Sequence, residues 1–77
     1  MLVDKQLETS LKHLIEEIGE VTQVCAKILR HDLIDNDTNK QDTLDRIILL
    51  EKKMQNVNDQ MEKSKLYLRY LQLMLVR

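Results

Sequence analysis

The stretch LETSLKHLIEEIGEVTQVCAKILR, Leu7 to Arg30, places apolar residues at spacings of three and four. This is the period of one face of an α-helix, so the pattern predicts a helix from about Lys5 to Arg30. The apolar positions are Leu7, Leu11, Leu14, Ile15, Ile18, Val21, Cys25 and Ile28.

The segment HDLIDNDTN, His31 to Asn39, ends this pattern, because clustered Asp and Asn residues compete for backbone hydrogen bonds and favour a loop. Thr38, followed three residues later by Gln41, is typical of an N-cap, so a second helix is predicted to begin after Thr38. NVND, Asn56 to Asp59, predicts another break. The second helix would present Leu44, Ile47, Ile48, Leu50 and Met54, and a third helix, capped by Asn58, would present Met61, Leu66, Leu68, Leu71 and Met74.

The composition agrees with an all-α fold, since the 77 residues include no proline, one glycine and two aromatic residues. We expect a single domain over residues 1–77, a three-helix chain that forms a bundle completed by oligomerisation, because so short a chain buries little core alone. The 12 basic and 13 acidic residues nearly balance, which argues against a nucleic-acid-binding surface. The sequence has no apolar run of the length or position that would predict a membrane span or a secretory signal. With one cysteine, the sequence predicts a cytoplasmic protein.

Five carboxylates form the most suggestive polar pattern. Glu16, Glu17 and Glu20 can share one face of the first helix, and Asp42 and Asp45 repeat the three-residue spacing at the start of the second. Antiparallel packing of the two helices would let these groups face each other. Oxygen-rich clusters of this kind suit Mg²⁺ or Mn²⁺.

The same spacings are common on solvated helix faces. Asp42 and Asp45 also favour the positive end of a helix without any metal. Spacing alone therefore leaves both interpretations open.

The segment LIEEIGEVTQVCAKILR resembles the first signature helix of the MazG-like all-α nucleoside triphosphate pyrophosphohydrolases, particularly their short, phage-type members. The family pattern is EExxE followed by ExxD. Glu16, Glu17 and Glu20 match the first half, and DTLD, Asp42 to Asp45, matches the second with Asp42 in place of Glu. VNDQMEKSKLYLRY resembles the basic last helix of short members.

The resemblance implies Mg²⁺- or Mn²⁺-dependent hydrolysis of a nucleoside triphosphate to the monophosphate and pyrophosphate, in a homodimer or homotetramer. Glu16 would hold or deprotonate the attacking water. The metal ligands would be Glu17, Glu20, Asp42 and Asp45, and the phosphate-binding cations would include Lys27, Arg30 and Lys65. A neighbouring helix approaching Gly19 closely would account for this glycine, although a helix also tolerates one without a functional reason.

The alternative is a non-catalytic, degenerate relative that acts as a protein–protein interaction or regulatory module, since the apolar stripes suit a partner's helices equally well. In either case we expect subunit contacts through Leu14, Val21, Val24, Leu71 and Met74. A simple coiled coil is less favoured, because the apolar pattern departs from strict heptads and two loops are predicted.

Overall fold

The computed structural model describes residues 2–36 and 39–76, and these residues form a helical hairpin. Helix α1 spans Leu2–Lys27, a π-helical segment spans Ile28–Ile34, and helix α2 spans Lys40–Leu75. The two helices pack antiparallel as a rod of 57 × 17 × 15 Å. The all-α prediction is therefore confirmed, and the described residues contain no strand.

The predicted third helix is wrong, because α2 continues through Asn56–Asp59 without a break. Asn and Asp weaken a helix interior by only about 0.5 kcal/mol each, a cost that packing against a neighbouring helix readily offsets. Val57 and Asn56 are half-buried in the hairpin, and the side chain of Gln55 donates to Asp59 Oδ1 at 2.9 Å. Asn58 is therefore an interior residue of α2 and not a cap.

The bend lies where the sequence predicts it, but its details differ. α1 ends at Lys27 and not at Arg30, and the chain continues as π-helix, with the Asp35 amide donating to the Arg30 carbonyl at 2.9 Å. Asn36 adopts a left-handed φ of 52°, which Asn tolerates better than most residues. The predicted cap, Thr38, lies outside the described residues. Asn39 is the N-cap of α2, since its side chain accepts from the Asp42 amide at 2.9 Å.

The contact between α1 and α2, here called the seam, follows a strict heptad repeat. Apart from Glu20 and Cys25 on α1 and Asn56 on α2, the covered residues of the two helices alternate at spacings of three and four, as in a coiled coil. Strict heptads therefore describe this hairpin better than the sequence pattern suggested. The seam consists of Leu7, Ser10, Leu14, Glu17, Val21 and Val24 on α1, Ile28 at the start of the π-helical segment, and Thr43, Arg46, Leu50, Lys53, Val57, Gln60, Ser64, Tyr67 and Leu71 on α2.

Seam membership corrects the predicted subunit contacts. Val24 is only 6% exposed within one chain, and Leu14, Val21 and Leu71 are half-buried there. These residues pack mainly against the other helix of their own hairpin, and of the four Val21 also lines the apolar groove on the outer surface. Met74, 38% exposed, is the one member of the predicted set that remains open.

A buried polar cluster fixes the register of the seam. Ser10 and Ser64 are 3% and 2% exposed, and their hydroxyl oxygens lie 2.8 Å apart. Gln60 Nε2 donates to Ser10 Oγ at 2.8 Å and to the Ser10 carbonyl at 3.0 Å. Sliding one helix along the other would leave these buried groups without partners, which is costly.

We expect Ser10→Ala to destabilise the hairpin more than Ser64→Ala. Losing the Ser10 hydroxyl strands the buried Ser64 hydroxyl, at a cost of about 1–3 kcal/mol, whereas losing the Ser64 hydroxyl leaves Ser10 still accepting from Gln60. The double variant should cost less than the sum of the two single variants. Urea unfolding at one fixed protein concentration measures all three, and equal, additive effects would contradict this role of the cluster.

Candidate functional site

The predicted acids of α1 lie on and beside the seam. Glu17 is half-buried on the seam, and Glu20 is half-buried one turn further along; Glu16 is exposed on the neighbouring surface. The Glu17 Oε2 atom is buried and has no hydrogen-bond partner. The structure therefore brings Glu17 and Glu20 together, as their spacing predicts.

The residues of α2 that lie opposite this pair are not the predicted acids. Lys53 Nζ lies 2.8 Å from Glu20 Oε2, in an ion pair between the two helices. Asn56, one turn further along α2, is half-buried at the level of Glu17. A cation and an amide thus occupy the positions, three residues apart, that a four-carboxylate site would need for acids.

The second pair of acids lies elsewhere on the rod. Asp45 and Asp42 precede Lys53 by eight and eleven residues, which corresponds to about 12 and 16 Å along a helix. Both are exposed; the Asp42 backbone amide donates to the Asn39 side chain, and the Asp45 carboxylate accepts from Gln41 Nε2 at 2.9 Å. The hairpin therefore does not bring Asp42 and Asp45 to Glu17 and Glu20. Over the described ranges, no three His, Cys, Asp or Glu residues form a group suited to a metal ion.

The predicted phosphate-binding cations are also dispersed. Lys27 and Arg30 are exposed near the bend. Lys65 is exposed and paired with Glu62 at 3.3 Å, next to Ser64, which contacts Ser10. Since Ser10 precedes Lys27 by 17 residues, Lys65 and Lys27 are separated by about 25 Å along the rod.

The ion pair between Lys53 and Glu20 shifts the pKa values of both partners. The hydrogen bond from Lys53, together with its charge, lowers the pKa of Glu20, and the hydrogen bond to Glu20 raises the pKa of Lys53. The charge of Glu17 adds to the effect on Lys53. An ammonium group of the chain itself thus pairs with Glu20, which is the role that a bound cation would otherwise have.

Sequence reasoning missed a stronger polar contact at the bend. Asp32, whose side chain is 2% exposed, accepts from both Arg46 Nε and Nη2, at 2.9 and 2.8 Å, and from Thr43 Oγ1 at 2.8 Å. The Arg46 hydrogen bond is the main reason why the pKa of Asp32 falls to about 2. This contact joins the π-helical segment to the first turns of α2. Asp32 sits in a segment that the sequence predicts as a loop, so no periodic signal pointed to it.

The two faces of the hairpin differ in polarity. One face has a groove of about 430 Å³, lined mainly by Ile18, Val21, Met54, Val57 and Met61. The opposite face has a groove of about 260 Å³, lined mainly by polar residues that include His13, Gln60 and Lys63. Neither α1 nor α2, as far as they are described, contains an apolar stretch that could cross a lipid bilayer.

Comparison of the chain with family models, with curated proteins and with solved structures found no match.

The Asp32 contact predicts that the stability of the folded hairpin decreases at acid pH. Because the folded pKa of Asp32 lies below its ordinary value of 3.8, the contact contributes fully above about pH 4, and its contribution is lost as the pH falls towards 2. Asp32→Asn should therefore lower the Tm at pH 7 and flatten the loss of stability between pH 4 and 2. Thermal unfolding monitored by circular dichroism tests this, with the exposed Glu62→Gln as a control. If Asp32→Asn loses as much stability between about pH 4 and 2 as the wild-type protein does, this prediction is contradicted.

Gly19 has a simpler explanation than a close helix contact. It is exposed, and a Cβ atom built on it meets no atom within 4 Å. Gly19→Ala should therefore stabilise the chain by about 0.5–1 kcal/mol. Ala26→Gly, one heptad later on the same exposed side of α1, is the matched control and should destabilise it by a similar amount. Chemical denaturation measures both, and a destabilising Gly19→Ala would reveal a contact at this position.

Proposed function

We propose that this chain is a non-catalytic helical hairpin that acts by packing against other helices, as a protein–protein interaction or regulatory module. The observation that carries the proposal is the apolar face. Large apolar side chains that a stable, isolated protein would cover are open there, including Ile18 at 47%, Met54 at 55% and Met61 at 41% exposure. Contiguous exposed apolar surface of this kind is typical of interaction sites.

The polar seam explains how such a module keeps its shape before it meets a partner. Ser10, Gln60 and Ser64 set the register, and Asp32 with Arg46 holds the bend. These contacts are directional hydrogen bonds and an ion pair, and they need little buried apolar area. A hairpin held in this way presents its apolar face already formed, which reduces the ordering cost of association.

The second candidate is the metal-dependent nucleoside triphosphate pyrophosphohydrolase that the sequence resemblance implies. The buried, unpartnered Glu17 Oε2 beside Glu20 favours it, because an unsatisfied carboxylate oxygen suits a cation. The ion pair of Glu20 with Lys53 and the distance to Asp42 and Asp45 weigh against it. The residues of one hairpin do not fit the four-carboxylate set, and we therefore place the interaction module first.

Metal titration and a pyrophosphate-release assay separate the two candidates. We expect the wild-type protein to show no Mn²⁺ binding by calorimetry at micromolar concentrations, and no nucleoside triphosphate hydrolysis above background with Mg²⁺ or Mn²⁺. Hydrolysis that Glu17→Gln or Glu20→Gln abolishes would overturn the proposal and support the pyrophosphohydrolase.

A gain-of-binding variant makes a negative result informative. Lys53→Glu with Asn56→Asp would place two acids opposite Glu17 and Glu20 and remove the internal cation, so this double variant should gain measurable Mn²⁺ binding. Lys52→Glu with Asp59→Asn, which changes exposed residues of the same helix, is the control and should gain none. Equal binding by both variants would show that Lys53 does not govern cation access to the acids.

A further inference from the structure

The apolar surface of the hairpin is offset from its seam. One half of the α2 seam positions is largely apolar, whereas the other half carries Arg46, Lys53, Gln60 and Tyr67. The residue that directly follows each of these four is apolar. These four residues continue at the same seven-residue interval to Leu75, and α1 has an apolar series of the same interval. We call the two series together the outer stripe: Leu11, Ile18 and Cys25 on α1, and Ile47, Met54, Met61, Leu68 and Leu75 on α2.

The outer stripes of α1 and α2 lie on the same face. Ile18 from α1 and Met54 and Met61 from α2 line one groove, with the apolar seam residues Val21 and Val57 at its floor. Each helix therefore has two apolar edges, one covered by the other helix of the hairpin and one open. Helices with this pattern are found in four-helix bundles, where each helix packs against two neighbours.

The elongated hairpin exposes more area than a compact monomer of the same mass. The chain exposes 6157 Å². A compact monomer of its 9.2 kDa mass exposes about 4,900 Å². A contact that covered this excess of about 1,200 Å² on each of two chains would bury about 2,400 Å² in total, which is enough for a stable dimer.

We infer that the partner on this face is a second copy of the chain, and that two hairpins pack by their outer stripes into a four-helix bundle. The α2 stripe runs from Ile47 to Leu75, about 42 Å of helix, and the hairpin itself provides an apolar surface of the same length. A two-fold axis pairs the stripe with itself. The formal charge of −1 per chain causes little repulsion between copies.

The inference rests on the proposed association function and names its partner. The remaining surfaces of the hairpin face away from the second copy. The opposite face, with His13, Gln60 and Lys63, stays in solvent, and Gly19 lies outside the bundle.

Sedimentation velocity and light scattering at protein concentrations of about 5–100 µM test the inference. We expect wild-type protein at twice the 9.2 kDa chain mass, with a Tm that rises with protein concentration. Met54→Glu and Met61→Glu should each shift the mass towards the monomer and weaken the concentration dependence. Leu66→Glu is the matched control: Leu66 is 49% exposed but lies off the outer stripe, so the dimer should persist.

The wild-type measurement decides the inference even where a variant fails to fold. The inference would be overturned by a wild-type protein that is a folded monomer at about 100 µM and has a Tm independent of protein concentration. A dimer that Leu66→Glu disrupts and the two methionine variants leave intact would overturn the assigned face. A folded monomer without hydrolase activity would leave the association function standing with a different helical partner, and a dimer that hydrolyses nucleotides would overturn the proposed function alone.

Discussion

The offset between the seam and the apolar stripe is the constraint on which the rest of this molecule depends. A two-helix contact covers one edge of each helix, and here half of the covered positions are polar, including Glu17, Lys53 and Ser64. The remaining apolar edge stays open beside them. Hydrogen bonds within the seam thus specify the register of the two helices, and much of the apolar surface stays available for association.

The polar seam has an energetic logic of its own. Two antiparallel helices with uniformly apolar contacts can slide by whole heptads at little cost, because each register buries similar surface. Ser10 with Gln60 and Ser64, and Asp32 with Arg46, have satisfied hydrogen bonds in only one register. Such contacts add modest net stability, but the alternatives leave buried groups without partners. They therefore select one hairpin from several of similar apolar burial.

Much of the fold follows from the sequence alone. The helical period of α1 and the Asp- and Asn-rich bend were both predictable, because they depend on local spacing and local backbone competition. The continuity of α2 was not, since Asn56 and Asn58 give the same local signal in a loop and in a helix whose packing tolerates them. The π-helical segment has no periodic signature, and Asp32 within it gains its role only when Arg46 is brought to it by the fold.

The candidate site shows the same limit more sharply. The spacing of Glu17 and Glu20 correctly predicts that they share one side of α1, since this follows from helix geometry. Which residues of α2 oppose them depends on the register, and the register depends on the length of the bend and on the serine contact far along the rod. A register that set Asp42 and Asp45 opposite Glu17 and Glu20 would break the pairs of Ser10 with Ser64 and of Asp32 with Arg46 together. In the observed register Lys53 meets Glu20, so the contacts that define the hairpin also decide which cation its acids hold.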